Sequence, residues 1–161
     1  MKILVIGSGG RENAIIHSLL KSNKVSEVFS ATSNAKICQI TTPSNIDSDN
    51  HQEVLNFCQE KTIDLVVIGP EQPLVSGLVD FLQNGNITVF GPNKKASRLE
   101  GSKIFMKELC AKYNIPTAKY QSFDNPDLAI KFLDEINLPY VIKTDGLAAG
   151  KGVIIAQSKE D

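Results

Sequence analysis

Short unbroken apolar runs alternate with apolar stripes at helical spacing through the first half of the chain. The run at residues 2–6 predicts a strand, and Ile15, Ile16, Leu19 and Leu20 then repeat on one face of a helix. A second strand is predicted over 25–30, and one short strand near Ile46 follows a polar, Pro43-broken connection. Val54, Leu55 and Cys58 mark a helix behind a cap at Asp49 or Asn50, and residues 64–68 read as a fully apolar core strand. Leu74, Val75, Leu78, Val79 and Leu82 share one face of the next helix, and residues 87–90 form a further strand. This succession predicts a doubly wound α/β domain with a parallel, Rossmann-like sheet, complete at about residue 92.

The rhythm then changes. Residues 93–102 are a polar link expected to include one helical turn, and Ser102 can cap a helix over 103–114. Phe105, Met106, Leu109, Cys110 and Tyr113 form its apolar side, and Ile115-Pro116-Thr117 stops it. Residues 120–123 read as extended, and Asp124 or Asn125 caps a helix with Leu128, Ala129, Phe132, Leu133 and Ile136 on one side. Strands over 140–143 and 153–156 flank a glycine-rich loop. The expected organisation is an α/β domain at 1–92, a linker at 93–102, and the start of an α+β subdomain at 103–161.

Two glycine-bearing turns carry candidate chemistry. Gly7-Ser8-Gly9-Gly10-Arg11 joins the first strand to its helix, where unpaired N–H groups and the helix dipole favour an anion. A dinucleotide fingerprint would place a third glycine where Glu12 stands and an acidic residue about 20 positions on, at the end of the second strand. That strand ends in Phe29-Ser30-Ala31-Thr32 without a carboxylate, so the turn is either a phosphate site of another kind or merely structural. Glu71 follows the core strand's Gly69-Pro70 and lies at the same carboxyl edge. It either holds a polar ligand or answers a helix dipole.

In the second turn, Lys143 and Lys151 accompany Gly146, Gly150 and Gly152. Lysine supplies a point charge, and glycine lets backbone N–H groups approach phosphate oxygens. The P-loop pattern fails: three residues separate Gly146 from Gly150, Gly152 stands where Ser or Thr is needed, and a strand follows. A phosphate cradle and an ordinary hairpin both remain open at this point. Lys103, in the first turn of its helix, opposes the dipole and calls for solvent or an anion.

Composition narrows the field. With 17 basic and 18 acidic side chains in 161 residues, the net charge of -1 gives no general attraction to nucleic acid or to a membrane surface. Apolar runs are too short to span a bilayer, and the first residues enter a strand directly, which leads to an expectation of a cytoplasmic protein. Cys38, Cys58 and Cys110 are too scattered for a disulfide framework or a zinc site, and core packing is expected for Cys110. His17 and His51 each fall alone in a predicted helix, where solvation or capping is the expectation.

Six motifs in one order carry a resemblance covering essentially the whole chain. They are Gly7-Ser8-Gly9-Gly10-Arg11-Glu12, Gly69-Pro70-Glu71-Gln72-Pro73-Leu74-Val75, Gly91-Pro92, Leu99-Glu100-Gly101-Ser102-Lys103, Ile115-Pro116-Thr117-Ala118, and the run from Val141 through Gly152 to Val153. The chain resembles the N-terminal part of the phosphoribosylamine-glycine ligases, also called glycinamide ribonucleotide synthetases. The resemblance implies an ATP-grasp enzyme of purine synthesis that joins glycine to 5-phosphoribosylamine through a glycyl phosphate. It implies ATP contacts at Lys103, Lys143, Gly146, Gly150, Lys151 and Gly152, with the glycine-rich loop closing over the nucleotide. A phosphoribosyl group is implied beside Gly9, Gly10, Arg11 and Glu71. It further implies Mg2+ or Mn2+ held by groups beyond residue 161, and a monomeric parent.

Asn13 stands where histidine is common in that family, and Thr32-Ser33-Asn34-Ala35 replaces a Pro-Gly-Asn-Ala turn. Both departures fall near the implied phosphoribosyl crevice. Family members continue well beyond residue 161, so a fragment lacking a complete active site is expected, with the 141–153 hairpin its most mobile glycine-containing segment. Two other readings are a stand-alone sugar-phosphate-binding module and a related ATP-grasp carboxylase or ligase.

Overall fold

The computed structural model describes residues 1–148 and 150–161, so Ala149 of the glycine-rich loop lies outside the described residues. Two units divide the chain, Met1–Ser97 and Arg98–Asp161.

In the first unit the apolar runs become a five-stranded parallel sheet of order β3-β2-β1-β4-β5. The strands are β1 (Lys2–Ile6), β2 (Glu27–Ala31), β3 (Thr42–Pro43), β4 (Leu65–Ile68) and β5 (Val89–Phe90). Between them run α1 (Gly10–Leu19), α2 (Ala35–Cys38), α3 (His51–Glu60), α4 (Glu71–Ser76) and α5 (Leu78–Asn84), and α6 (Lys94–Gly101), which holds the boundary between the units, follows β5. β1 is central, with Leu4 level with Phe29 on one side and Val66 on the other.

Side chains alternate across the sheet, and both faces are buried, as parallel pairing requires. Leu4, Ile6, Phe29, Val66 and Ile68 pack with Val54 and Cys58 of α3 and Leu78, Val79 and Leu82 of α5. Ile3, Val5, Val28 and Val67 face the other way, toward Ile16 of α1 and Ile37 of α2. Ile3, Leu4, Val5 and Ile6 are all nearly inaccessible, so each truncation to alanine is worth about 2–5 kcal/mol. The doubly wound prediction is met.

Several local expectations are corrected. The short strand forms at Thr42–Pro43 rather than near Ile46, and it holds an edge, the place in a sheet where proline's missing N–H is harmless. Ile46 instead packs half-buried against the core. The single helix expected over Leu74 to Leu82 is two, α4 and α5. Gly77 breaks it with φ +101°, a left-handed conformation that glycine adopts without steric penalty, and its N–H bonds Pro73 O and Leu74 O. The helical turn expected in the polar link is there and runs on as α6, started by Asn93 Oδ1 accepting from Ala96 N–H at 2.9 Å. With Ser97 its only buried residue, α6 offered no apolar stripe to detect.

The second unit contains α7 (Lys103–Lys112), α8 (Pro126–Phe132), a 3-10 turn at Leu133–Glu135, and an antiparallel pair, β6 (Tyr140–Lys143) and β7 (Val153–Ala156). Ser102 caps α7 by accepting from Phe105 N–H at 3.1 Å, and Asn125 caps α8 by accepting from Asp127 N–H at 2.8 Å. No strand forms at 120–123. Cys110 is only half-buried, its Sγ 3.7 Å from Met106 Sδ, so the expected core position is a partial one. Among the described residues no helix is long and apolar enough to cross a membrane.

Candidate functional site

In the first unit the strand order reverses direction at β1 and β4, so the loops leaving their carboxyl ends flank the sheet's topological switch point. β1 delivers Gly7, Ser8 and Gly9, and β4 delivers Gly69, Pro70 and Glu71. Arg11 Nη2 donates to Glu71 Oε2 at 3.3 Å, joining the two loops at the surface. Glu71's own backbone N–H, followed by the Arg11 guanidinium, holds its carboxyl below the usual carboxylate range. Both side chains are well exposed, at 72% and 39%, so the pair can open toward a ligand at little cost. Gly9, Gly10, Arg11 and Glu71 therefore share one edge, with nothing within 4 Å of where a Gly10 Cβ would lie.

Two residues not singled out as site residues hold this edge in shape. Glu12 is only 3% exposed, and its Oε2 accepts from Gly9 N–H at 2.6 Å, the return bond of a capping box. A Cβ on Gly69 would stand 2.6 Å from both Cγ and Cδ of Glu12, so glycine is required there by close approach. Gly69 N–H also bonds Ile6 O at 3.1 Å. Asn34 ties in a third loop by donating from Nδ2 to Ser8 O at 2.9 Å while its Oδ1 caps α2. Thr32 Oγ1 accepts from Asn34 N–H at 3.0 Å, so a hydroxyl turn shapes the segment that stands in place of a Pro-Gly turn. The signal for Glu12 was legible: it stands three residues after Gly9 at a helix start.

The second unit arranges the glycine-rich loop between β6 and β7. Thr144 N–H bonds Gly152 O at 3.0 Å, Lys151 N–H bonds Ala148 O at 2.8 Å, and Gly146 and Gly150 have φ of +84° and +76°. Lys103 Nζ, half-buried, donates to Gly146 O at 2.7 Å, which brings one predicted cation onto the loop. Lys143 and Lys151 are exposed, with no side-chain hydrogen bond or ion pair among the described residues. The missed residue here is Asp145, whose carboxylate accepts from Ser102 Oγ at 3.0 Å and from Ile104 N–H at 3.2 Å. Desolvation is the largest single influence and works to raise its pKa, but the Ile104 N–H, the Ser102 hydroxyl and the Gly146 and Lys103 N–H groups together outweigh it and hold the carboxyl below its usual range. Its signal in sequence was weak, because the contact spans 41 positions.

Each unit thus offers an anion-compatible edge: a guanidinium beside glycine N–H groups in the first, and lysines around a glycine-rich loop in the second. Among the described residues no three His, Cys, Asp or Glu side chains gather as a metal's ligand set.

Known proteins fit this arrangement. Residues 1–100 match the model of the phosphoribosylglycinamide synthetase N domain, and residues 101–161 match that of the ATP-grasp (A) domain of the same synthetase. Phosphoribosylamine-glycine ligases from Fusobacterium nucleatum and Mesorhizobium japonicum are each 48% identical over 161 residues, all of this chain. The chain spans 38% of the length of either relative. A crystal structure of phosphoribosylamine-glycine ligase from Thermotoga maritima matches with a TM-score of 0.77 and 34% identity, covering 99% of this chain and 37% of that one. An ADP complex of N5-carboxyaminoimidazole ribonucleotide synthetase reaches 0.78 at 18% identity, a likeness of fold alone. With both consecutive domain models matched in order along its length, the chain belongs to the phosphoribosylglycinamide synthetase family.

Proposed function

We propose that this chain contributes the phosphoribosyl-binding crevice and the nucleotide-closing loop of an ATP-dependent ligase that joins glycine to 5-phosphoribosylamine. The observation that carries the reading is the Arg11–Glu71 pair at the sheet's switch point, where open α/β folds bind ligands. The relatives that this chain matches at 45–48% identity bear the name of that reaction.

In this reading ATP phosphorylates the glycine carboxylate, and the amine of phosphoribosylamine attacks the acyl phosphate, releasing phosphate. Gly10 and Arg11 hold the sugar phosphate through backbone N–H groups and the guanidinium, Gly9, whose own N–H bonds Glu12, leaves room for its close approach, and Glu71 accepts from sugar hydroxyls or the amine. Lys103, Lys143 and Lys151 neutralise the nucleotide phosphates, and Gly146, Gly150 and Gly152 let the loop backbone approach them. A divalent ion, Mg2+ or Mn2+, supplies further neutralisation of those phosphates when bound, and no ligand for it is assigned within this chain. Residues 1–92 act as the substrate-binding domain, 93–102 as a linker, and 103–161 as the start of the ATP-grasp domain. The working location is the cytoplasm, with the active protein a monomer.

Calorimetry with ribose 5-phosphate tests the crevice on this chain. Saturable binding is expected, weakened tenfold or more by Glu71→Ala or Arg11→Ala, and wild-type affinity in both variants would refute it. Product formation from ATP, Mg2+, glycine and phosphoribosylamine is expected only from a protein of the relatives' length. Sugar-phosphate binding with no product from the longer protein would instead favour a stand-alone binding module, a reading supported by the crevice lying wholly within the first unit.

A further inference from the structure

Helix α7 begins with an arrangement that the proposed nucleotide chemistry does not use. Its first-turn N–H groups need acceptors, as at any helix start. Ser102 Oγ takes Phe105 N–H at 3.1 Å, and the Asp145 carboxylate takes Ile104 N–H at 3.2 Å. Asp145 also accepts the Ser102 hydroxyl itself, at 3.0 Å to one oxygen and 3.2 Å to the other. The negative charge favoured at this dipole end is therefore supplied by the chain, from the root of the glycine-rich loop. One residue further, Gly146 O accepts from Lys103 Nζ at 2.7 Å.

Two consecutive loop residues, Asp145 and Gly146, are thus tied to three consecutive residues, Ser102, Lys103 and Ile104. The side of the loop that leaves β6 is held to the start of α7, and Thr144 N–H bonds Gly152 O at 3.0 Å across the loop's base.

We propose that Asp145 is a positioning residue that latches the root of the glycine-rich loop to the first turn of α7, and so holds Lys103 beside that loop. The proposal deepens the nucleotide-closing reading of the loop and rests on it for its purpose. The two bonds have different characters. Asp145 holds with two donors, the Ser102 hydroxyl and Ile104 N–H, whereas Lys103 has a single neutral acceptor that a phosphate oxygen outcompetes. Arrival of a phosphate therefore transfers Lys103 from Gly146 O to the ligand while Asp145 keeps the root in place.

Amide hydrogen exchange on the 161-residue chain, resolved by NMR, tests this. In Asp145→Ala, exchange at Ile104 should rise tenfold or more, and the loop amides of Gly146 and Lys151 should shift. Amides in the body of α7, such as Leu109 and Cys110, and those of β1 should keep wild-type rates. Asp145→Asn retains an acceptor oxygen and should restore most of the Ile104 protection, a rescue that simple damage to the helix would not give. Unchanged exchange at Ile104 in Asp145→Ala, equal loss in Asn and Ala variants, or collapse of protection throughout α7 would overturn the latch. Adding MgATP to the wild-type chain is the separate arm. Loop resonances that do not respond would sink the nucleotide reading while leaving the exchange result standing.

Discussion

Replacing Gly69 with alanine tests the account of the first crevice more sharply than altering any exposed residue. The new Cβ would lie 2.6 Å from both Cγ and Cδ of Glu12, inside any tolerable carbon contact. Glu12 is 3% exposed and bonded through Oε2 to Gly9 N–H at 2.6 Å, so it cannot turn aside without loss. If it stays, overpacking costs about 1–3 kcal/mol, and if it leaves, a charge-assisted hydrogen bond worth about 1.5–3 kcal/mol goes with it. Reduced freedom of the unfolded chain returns about 0.4–1 kcal/mol, leaving a net destabilisation of about 1.5 kcal/mol. Glu12→Ala removes the obstacle, so Gly69→Ala in that background should be neutral to slightly stabilising, with a coupling of about 2 kcal/mol between the sites. The assay must read the first unit. There is no tryptophan, and Tyr113, Tyr120 and Tyr140 all lie in the second unit, so tyrosine fluorescence is blind to it. Exchange of the β1 amides of Leu4 and Val5 reports its opening, and about 1.5 kcal/mol corresponds to about tenfold faster exchange. An equal cost of Gly69→Ala with and without Glu12 would refute the steric reasoning.

Two further outcomes follow from burial. Desolvation pushes the Cys58 thiol from 9.0 up to about 11, so between those values the unfolded chain loses a proton that the folded chain retains. Stability should therefore fall as pH rises from about 9 to about 11, by about 2–3 kcal/mol more in the wild type than in Cys58→Ala. Chemical denaturation across that range checks it, and parallel pH profiles would count against it. In the second unit Ile154 and Ile155 are 59% and 61% exposed on a two-stranded sheet with open edges, which favours concentration-dependent association. Ile154→Lys should lower light scattering at high concentration, and unchanged scattering would show that this sheet is not the sticky surface.

What was legible in the sequence follows the strength of burial. β1 and β4 read clearly because both faces of a parallel sheet are covered, which forces unbroken apolar runs such as Ile3-Leu4-Val5-Ile6. α3 and α7 read clearly because Asn50 and Ser102 mark their starts. α6 did not, since a helix with one buried residue has no periodicity to betray it, and the break at Gly77 was hidden by an apolar face that continues through it. The candidate residues at each edge were found through glycine, lysine and arginine, types whose chemistry is visible locally. Glu12 and Asp145 were passed over because their work is to hold backbone N–H groups, and in Asp145 those groups lie in a distant segment.

Those two carboxylates change what the site asks of a ligand. At α1 the Glu12 side chain already answers the N–H of Gly9, and at α7 Asp145 already answers that of Ile104, so in each unit the positive end of a helix is partly neutralised from within. An incoming phosphate meets less of the dipole than a bare helix start would offer, and the attraction shifts to mobile cations. On the proposed reading, Arg11 in the first unit and Lys103, Lys143 and Lys151 in the second are the groups that would follow a ligand through the reaction. A fixed dipole grips a phosphate in one place, whereas a lysine on a long stem can track it as charge shifts during transfer. Internal carboxylates at the helix starts therefore suit an edge that must bind an anion and release it, rather than store one.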